Sequence, residues 1–469
     1  MKKSKETLMA DIQSSIKGIF SDTIELSDYD EFLPHIKRAI AHKDNLLDCA
    51  KRFGTPIYVL DEGMLAGQTY RIMKAFRKHL DRVSVFYALK SNDLPYLLQK
   101  LRDMGVNADV SSLFELQLAL RLNFKRIIFT APTKSDAELK LVLEHSDRVV
   151  LNVDNLDELE RVIKLASWRQ PKRPLKISFR LNPRGGAGSW PKFGLGLDDF
   201  RIAAGLVMEN RSLKWAGVHF HSSWNQTPDA HVANIRLISR FLREKFNIAE
   251  LSNLEFFDIG GGFLPDGSGA LFSATARGRI IEKTVERHQK MPELREVYKE
   301  EHIDISVFAS KISAALRQEL LEPLGREDIE VWLEPGRFIS SQSTYILLGV
   351  NSVGRSRVTV DGGINLIGGA NFEFEFYPII NISRPSTKRR KATIYGPLCD
   401  PEDHWGFSYF GEACQKGDIL AVMNQGAYTF STAWRWQRPI AAYVAFSGNR
   451  ITPVKQAESF NQRYAGCKF

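Results

Sequence analysis

The sequence predicts an α/β protein, a (β/α)8 barrel of the TIM type followed by a C-terminal all-β domain. Three observations carry that expectation. Eight apolar, strand-like runs lie near residues 83-89, 107-111, 126-130, 148-153, 175-182, 215-221, 255-259 and 330-334. They alternate with helix-patterned segments such as 135-145, 155-166 and 229-246, and eight strands with crossover helices over about 250 residues is the arithmetic of such a barrel. Each run ends on polar or glycine residues, as barrel strands do where they open into a site. Beyond Glu334 the pattern becomes β-rich, with Val358-Thr359-Val360, Ala392-Thr393-Ile394-Tyr395 and Ile419-Leu420-Ala421-Val422.

In chain order, residues 1-60 are expected to form helices and one strand. Leu8, Ile12, Ile16 and Ile19, then Phe32, Ile36 and Ile40, recur at helical spacing up to Phe53. Thr55-Pro56-Ile57-Tyr58-Val59-Leu60 reads as a strand, and Asp61 is placed to cap the next helix. The barrel is expected over 61-345 and the β domain over 346-469. Residues 264-305, glycine-rich and then highly charged, are too long for a simple connection, and segments of that size serve as lids, partner contacts or disordered loops. Lys388-Arg389-Arg390-Lys391 reads as a charged hairpin tip.

Composition narrows the function. At 469 residues and 43% hydrophobic, the chain buries a large core. Its 64 Lys and Arg against 55 Asp and Glu give +9, which suits anionic ligands, but the basic residues are scattered and argue against nucleic acid. Four cysteines, Cys49, Cys399, Cys414 and Cys467, show no paired spacing, the usage of a reducing compartment. The basic N-terminus is followed by no apolar leader, and no run approaches the ~18 apolar residues of a membrane span. A cytoplasmic, membrane-free protein is the expectation.

The chemistry starts at Val83-Ser84-Val85-Phe86-Tyr87-Ala88-Leu89-Lys90, a strand that delivers a lysine to the barrel mouth. Lys90 is the candidate catalytic amine, against the plainer reading of a rim charge. Strand 7 runs into Asp258-Ile259-Gly260-Gly261-Gly262 and strand 8 into Glu334-Pro335-Gly336-Arg337, the two places where such barrels hold a phosphate. Gly260, Gly261 and Gly262 let backbone N–H groups approach phosphate oxygens, with Gly336 and Arg337 completing the cradle. A phosphate cradle beside a strand-end lysine suggests pyridoxal 5'-phosphate held as an imine on Lys90. Glu334 then meets the pyridine nitrogen, His221 stacks on the ring, and Asp109 and Arg180 stand behind them. A metal-dependent hydrolase using His219 and His221 on one strand is the competing reading, but only ten histidines occur and it leaves the glycine loops without a task. No metal is expected. A non-catalytic paralogue should have lost the lysine or the loops, and a racemase should avoid the deep electron sink that Glu334 favours.

These segments resemble a family. Tyr87-Ala88-Leu89-Lys90, Ala108-Asp109-Val110-Ser111, Lys192-Phe193-Gly194, His219-Phe220-His221, Asp258-Ile259-Gly260-Gly261-Gly262-Phe263, Glu334-Pro335-Gly336-Arg337, Gly396-Pro397-Leu398-Cys399-Asp400 and Gly426-Ala427-Tyr428 are similar to the fold-type III pyridoxal-phosphate-dependent decarboxylases. That group includes the diaminopimelate, ornithine and arginine decarboxylases. The resemblance implies an amino-acid decarboxylase in which the N-terminal segment joins the β domain, and a head-to-tail homodimer with shared sites. It implies Lys90 as the Schiff-base lysine, Glu334 as the pyridine partner, His221 as the stacking residue, and the glycines with Arg337 as the cradle. From the partner subunit it implies Cys399 as proton donor, Asp400 as a substrate contact and Tyr428 as a phosphate ligand.

Several positions depart from the family pattern. The usual His-x-Gly-Ser reads His221-Ser222-Ser223-Trp224, and the arginine-proline pair of diaminopimelate decarboxylases is missing after Asp361-Gly362-Gly363, where Gly368-Gly369-Ala370 stands. Cys399 is followed by Asp400-Pro401-Glu402-Asp403 in place of their glutamate. An ungapped count from Asp361 puts Gly369 at the arginine's place and Glu373 where ornithine decarboxylases hold an amine, although Phe372-Glu373-Phe374-Glu375-Phe376 also reads as an alternating strand with its glutamates in solvent. The expected substrate is therefore a diamino acid of the ornithine or lysine type. Diaminopimelate, or a carboxylated siderophore or antibiotic precursor, is the alternative.

Overall fold

The computed structural model describes residues 4, 6–7, 10, 27–182, 190–223, 225–267, 269–271, 297–298, 303–368 and 375–469. A first strand, β1 (Ile57–Asp61), precedes the barrel. The barrel strands are β2 (Val83–Ala88), β3 (Asn107–Val110), β4 (Ile127–Thr130), β5 (Val149–Val153), β6 (Leu175–Arg180), β7 (Leu213–His219), β8 (Phe256–Asp258) and β9 (Glu330–Leu333). They close in the order β9-β2-β3-β4-β5-β6-β7-β8, and every pairing is parallel. The expected (β/α)8 barrel is the observed one, with strand ends shifted by no more than two residues.

Local chemistry explains the helix starts. Ser112, Ser135 and Asn155 leave β conformation and accept the N–H groups of Glu115, Glu138 and Glu158, three residues on. At Ser135 the Glu138 side chain returns the bond and completes a capping box. The helices Asp136–Glu144, Leu156–Arg169 and Asp229–Lys245 fall where the periodicity put them.

The barrel interior is filled, not open. Phe86, Ile128, Val150, Ala216, Phe256 and Trp332 form a buried cluster, in which the Phe256 and Trp332 rings stack 3.5 Å apart. Below them Arg126 lies 4.8 Å over the Trp332 ring and pairs with Glu330 at 2.6 Å. This plug closes the amino ends of the strands, so a site has room at the carboxyl ends alone.

The second sheet comprises β10 (Thr344–Val353), β11 (Arg357–Val360), β12 (Ile379–Asn381), β13 (Arg389–Tyr395), β14 (His404–Phe410), β15 (Ile419–Val422), β16 (Ala442–Ser447) and β17 (Arg450–Lys455). Its order is β11-β13-β14-β12-β15-β10-β1-β16-β17, and β11 also pairs with β10. β1 lies between β10 and β16, so the N-terminal strand belongs to this sheet. Its alternation divides the core: Ile57 and Val59 pack with Ile36, Ala39, Leu46 and Cys49 of the N-terminal helices, while Tyr58 and Leu60 face the main core.

One local expectation is corrected. Lys388-Arg389-Arg390-Lys391 is not a hairpin tip, because Arg389 opens β13 and pairs with Phe410 at the far end of β14. The run is accommodated by partners: Arg390 binds Glu412 at 2.5 Å and Arg389 sits 3.8 Å over the Tyr29 ring. Leu8, Ile12, Ile16 and Ile19 lie outside the described residues, as do 272–296 of the long segment. Its described ends, Gly269–Leu271 and Val297–Tyr298, pair with each other, and Gly269–Leu271 also pairs with Glu375–Phe376. Among the described residues no helix is long and apolar enough to cross a membrane.

The filled interior gives a direct stability test. A Cβ on Gly217 would fall 2.2 Å from the Phe256 ring, so Gly217→Ala must disturb the Phe256–Trp332 stack. It should cost about 1–3 kcal/mol and lower the calorimetric unfolding midpoint; an unchanged midpoint would show that the stack shifts freely.

Candidate active site

Lys90 sits in a single turn, Leu89–Ser91, that follows β2. The β domain clasps this turn: Tyr428 N–H donates to Ser91 O at 2.7 Å and Ser431 Oγ donates to Lys90 O at 2.9 Å. The amine reaches inward, with Nζ 3.0 Å from Asp109 Oδ2 and 38% of the side chain open. Burial lowers the amine's pKa, but Asp109, Tyr428 and Glu334 outweigh it and the net shift is upward. Asp109, at the end of β3, is fully buried, and its Oδ1 has no hydrogen-bond partner among the described residues.

Glu334 follows β9 and is as deeply buried. Its Oε2 accepts His219 Nε2 at 3.1 Å and its Oε1 accepts Thr130 Oγ1 at 3.5 Å. Burial alone would raise its pKa, yet His219, Lys90 and His221 hold it down at about 2, so it is a fixed anion at neutral pH. Burial pushes both His219 and His221 below the ordinary histidine range, which leaves two neutral rings. Asp258 takes the opposite course: burial and the charge on Glu334 push it well above the carboxylate range. Arg180, at the end of β6, stacks on Phe193 at 4.1 Å and has Asp154 3.9 Å away. A small cleft, partly open to solvent, lies between Arg180, Trp190, Phe193 and His221.

The glycine loop is required by packing before any ligand is considered. Gly260 and Gly262 have φ of +66° and +84°, and a Cβ on Gly261 would lie 2.3 Å from Glu334 O. Two of the three N–H groups have protein partners, Gly260 on Asp258 Oδ1 at 2.8 Å and Gly261 on His221 Nδ1 at 3.2 Å. The expectation that all three face a phosphate is thereby narrowed to Gly262, whose N–H has no partner among the described residues. Gly336 keeps two strand ends in contact, since a Cβ there would fall 1.9 Å from Ser91 Oγ. Arg337 is not directed wholly at a ligand: its Nη1 binds Glu375 Oε1 at 2.5 Å, and its guanidinium lies 5.0 Å over the Tyr428 ring.

That contact corrects another expectation. Tyr428 stands beside Arg337 and Ser91 of its own chain, so no second subunit is needed to bring it to the site. Cys399 and Asp400 are different. They lie in the connection from β13 to β14, where Cys399 N–H donates to Gln437 Oε1 at 2.9 Å and Asp400 Oδ1 accepts Glu402 N–H at 3.1 Å. Among the described residues neither touches Lys90, Glu334 or His221 of the same chain. Trp224, Gly369 and Glu373 lie outside the described residues. Thr130, Asp258 and Glu375 were assigned no role by sequence, and His219 only one as a ligand in the metal reading; the signal for His219 and Asp258 was a polar residue inside a motif already carrying a candidate, and Thr130 had none.

The donor set fits pyridoxal phosphate. It offers an amine, an ionised buried carboxylate for a protonated ring nitrogen, a neutral imidazole, and Gly262 N–H with Arg337 for a phosphate; the partnerless Asp109 Oδ1 is a further polar atom awaiting a donor. His219, His221 and Glu334 also bring ligand atoms within 4.8 Å of one another. Their lone pairs are engaged already, Glu334 with His219 and His221 Nδ1 with Gly261 N–H, which disfavours the metal hydrolase.

Comparison with known proteins agrees. The pyridoxal binding domain of the pyridoxal-dependent decarboxylases matches residues 66–341. The chain is 29% identical over 442 residues to a diaminopimelate decarboxylase of Methanothermobacter thermautotrophicus, covering 90% of this chain and 93% of that protein. It is 25% identical over 411 residues to an L-glutamyl-[BtrI acyl-carrier protein] decarboxylase of Niallia circulans, covering 81% and 86%. A crystal structure of diaminopimelate decarboxylase from M. jannaschii superposes with a TM-score of 0.74 at 23% identity, covering 90% and 94% of the two chains.

The position of the amine is directly testable. Borohydride treatment of the cofactor-loaded protein should leave a pyridoxyl group on Lys90, seen by peptide mass spectrometry, and Lys90→Ala should remove the label. Labelling at another lysine would displace Lys90 from its role.

Proposed function

The chain belongs to the pyridoxal-dependent decarboxylases, and we propose that it removes the α-carboxylate of an amino acid whose far end is an ammonium, a diamino acid of the ornithine or lysine type. One observation carries the choice of substrate. Between Asp361 and Arg384 the chain has no lysine or arginine, while Glu373 stands there. A distal carboxylate finds no pairing cation in that stretch and an ammonium finds favourable charge.

Bound pyridoxal phosphate supplies the electron sink for the pair left on the α carbon as carbon dioxide departs. The protein's part is to hold and polarise. Lys90 presents its amine at the end of β2, and Asp109 fixes its direction. Glu334, kept ionised by His219 and Thr130, holds a proton on a ring nitrogen set against it. His221 packs as a neutral ring, its Nδ1 fixed by Gly261 N–H and its Nε2 donating to Ser223 Oγ at 3.2 Å. Gly262, Gly336 and Arg337 would hold the phosphate with Tyr428.

The proton that replaces the carboxylate comes, in this reading, from Cys399 of a second copy of the chain, with Asp400 beside it. The exposure of Cys399 and its lack of contact with its own chain's Lys90 support this. Mixing inactive Lys90→Ala with inactive Cys399→Ala should restore about half of the wild-type activity per mixed dimer, or about a quarter for a fully re-assorted mixture, because one intact site of two re-forms. No recovery after verified subunit exchange would remove the shared site.

The names of relatives such as the M. thermautotrophicus protein favour meso-diaminopimelate instead. Steady-state kinetics separate the two. The kcat/KM for L-lysine or L-ornithine should exceed that for meso-diaminopimelate by about tenfold or more, and Glu373→Gln should narrow the gap. Efficient turnover of meso-diaminopimelate by the wild type would overturn the substrate assignment.

A further inference from the structure

One reading of the sequence put Glu375 on the solvent face of an alternating strand, and the structure covers most of it. Its side chain is 13% exposed and Arg337's is 14%, and the two form an ion pair at 2.5 Å. Tyr377 OH donates to the second Glu375 oxygen at 3.4 Å. The Glu375–Phe376 strand is fixed from two sides. It pairs with Gly269–Leu271, Glu375 opposite Ala270, and Phe376 packs on Tyr29 and Phe32 at 5.5 and 4.9 Å. The first end of the long segment is tied down as well, because Arg71 bridges Asp266 and Asp304 across it. On the other side Arg337 stacks on Tyr428, which adjoins the Lys90 turn.

Arg337 stacks on Tyr428 beside the Lys90 turn, and the arm of its guanidinium not turned to a phosphate is a natural hold for a carboxylate, through charge-assisted hydrogen bonds. Here that arm, Nη1, is already taken by Glu375 from inside the protein. We infer that Glu375 is a specificity-determining residue: by pairing with Arg337 it denies the guanidinium to a carboxylate on the far end of a substrate. A dicarboxylic ligand arriving at this pair meets a neutral couple and must displace Glu375, whereas an ammonium meets no repulsion. The inference rests on the decarboxylase reading and deepens it, and it adds to the missing arginine near Gly369 a second barrier of independent origin.

The test titrates cofactor-saturated enzyme by calorimetry with glutarate, pimelate and cadaverine as probes. Glu375→Gln should bind both dicarboxylates about tenfold more tightly than the wild type and cadaverine no more tightly. Glu375→Asp, whose shorter arm withdraws the carboxylate without removing it, should show an intermediate gain and serves if the glutamine variant folds poorly. Adding Arg337→Gln to Glu375→Gln should abolish the gain. Dicarboxylate affinity within about twofold of wild type in both single variants, or a gain that survives loss of Arg337, overturns the inference. The wild-type substrate panel tests the decarboxylase's preference separately, since the inference is read from the change between wild type and variant.

Discussion

Glu334 has to stay ionised in a place that water does not reach, and the hydrogen bond from His219 keeps it so. Burial of a lone carboxylate would protonate it, which would destroy its value as a fixed anion against a ring nitrogen. The bond spans β7 and β9, two strands apart in the barrel, and therefore demands that β8 between them be thin. The glycine triplet after β8 follows from this: any side chain on Gly261 would strike the Glu334 carbonyl, and Gly260 O accepts the Glu334 N–H at 2.8 Å. The sequence feature that reads as a phosphate loop is thus first a spacer that lets Glu334 and His219 meet.

Around that anion the charges are arranged in compensation. Asp109 and Asp258 also carry carboxyl groups in the same buried volume, and like charges so close cannot all ionise. Asp258 yields, its pKa pushed well above the carboxylate range by burial and the charge on Glu334, while Asp109 faces Lys90. The pH consequences oppose one another. Glu334, depressed from 4.5 to about 2, contributes stability that is present above the unfolded value and is lost as pH falls through the folded one. Asp258, raised, contributes stability that is fully present below its unfolded value and is lost as pH rises toward the folded one. The site is a compromise in which the charge held on Glu334 disfavours a second charge on Asp258.

Much of this was legible in the chain. Barrel strands are apolar runs of fixed length, so their number and phase survive translation into structure, and Lys90 and Glu334 stood out because each ends such a run. What escaped depended on contacts that no spacing encodes. His219 and Glu334 are 115 positions apart, so the histidine's partner was invisible even with the residue in plain view. The place of Tyr428 within its own chain was misassigned because resemblance carries residue types, while the subunit that supplies them is a matter of topology. Lys388 to Lys391 looked like a tip because four charges seem to need solvent; Glu412 and the Tyr29 ring supply the alternative. Glu375 failed for the same reason, since strand alternation predicts the face of a residue but not whether another segment covers that face.

The division of labour between the two domains follows from these contacts. The groups proposed to face the cofactor, Lys90, Asp109, Arg180, His221, Gly262 and Glu334, all come from the carboxyl ends of barrel strands or the turns after them, held by a lattice of parallel hydrogen bonds that tolerates little change. The groups placed to read the far end of a substrate come from elsewhere. Glu375 stands on a two-residue strand whose nearest pairing partner belongs to the long segment after β8, and Cys399 and Asp400 occupy a surface connection of the β domain. Arg337 joins the two sets, because its backbone follows the barrel strand that carries Glu334 while its guanidinium is paired by a residue of the β domain. Changing which end groups are accepted therefore requires altering short, locally held segments and leaves the Glu334–His219 bond untouched, which is how one barrel can keep its chemistry while the chain around it alters the substrate.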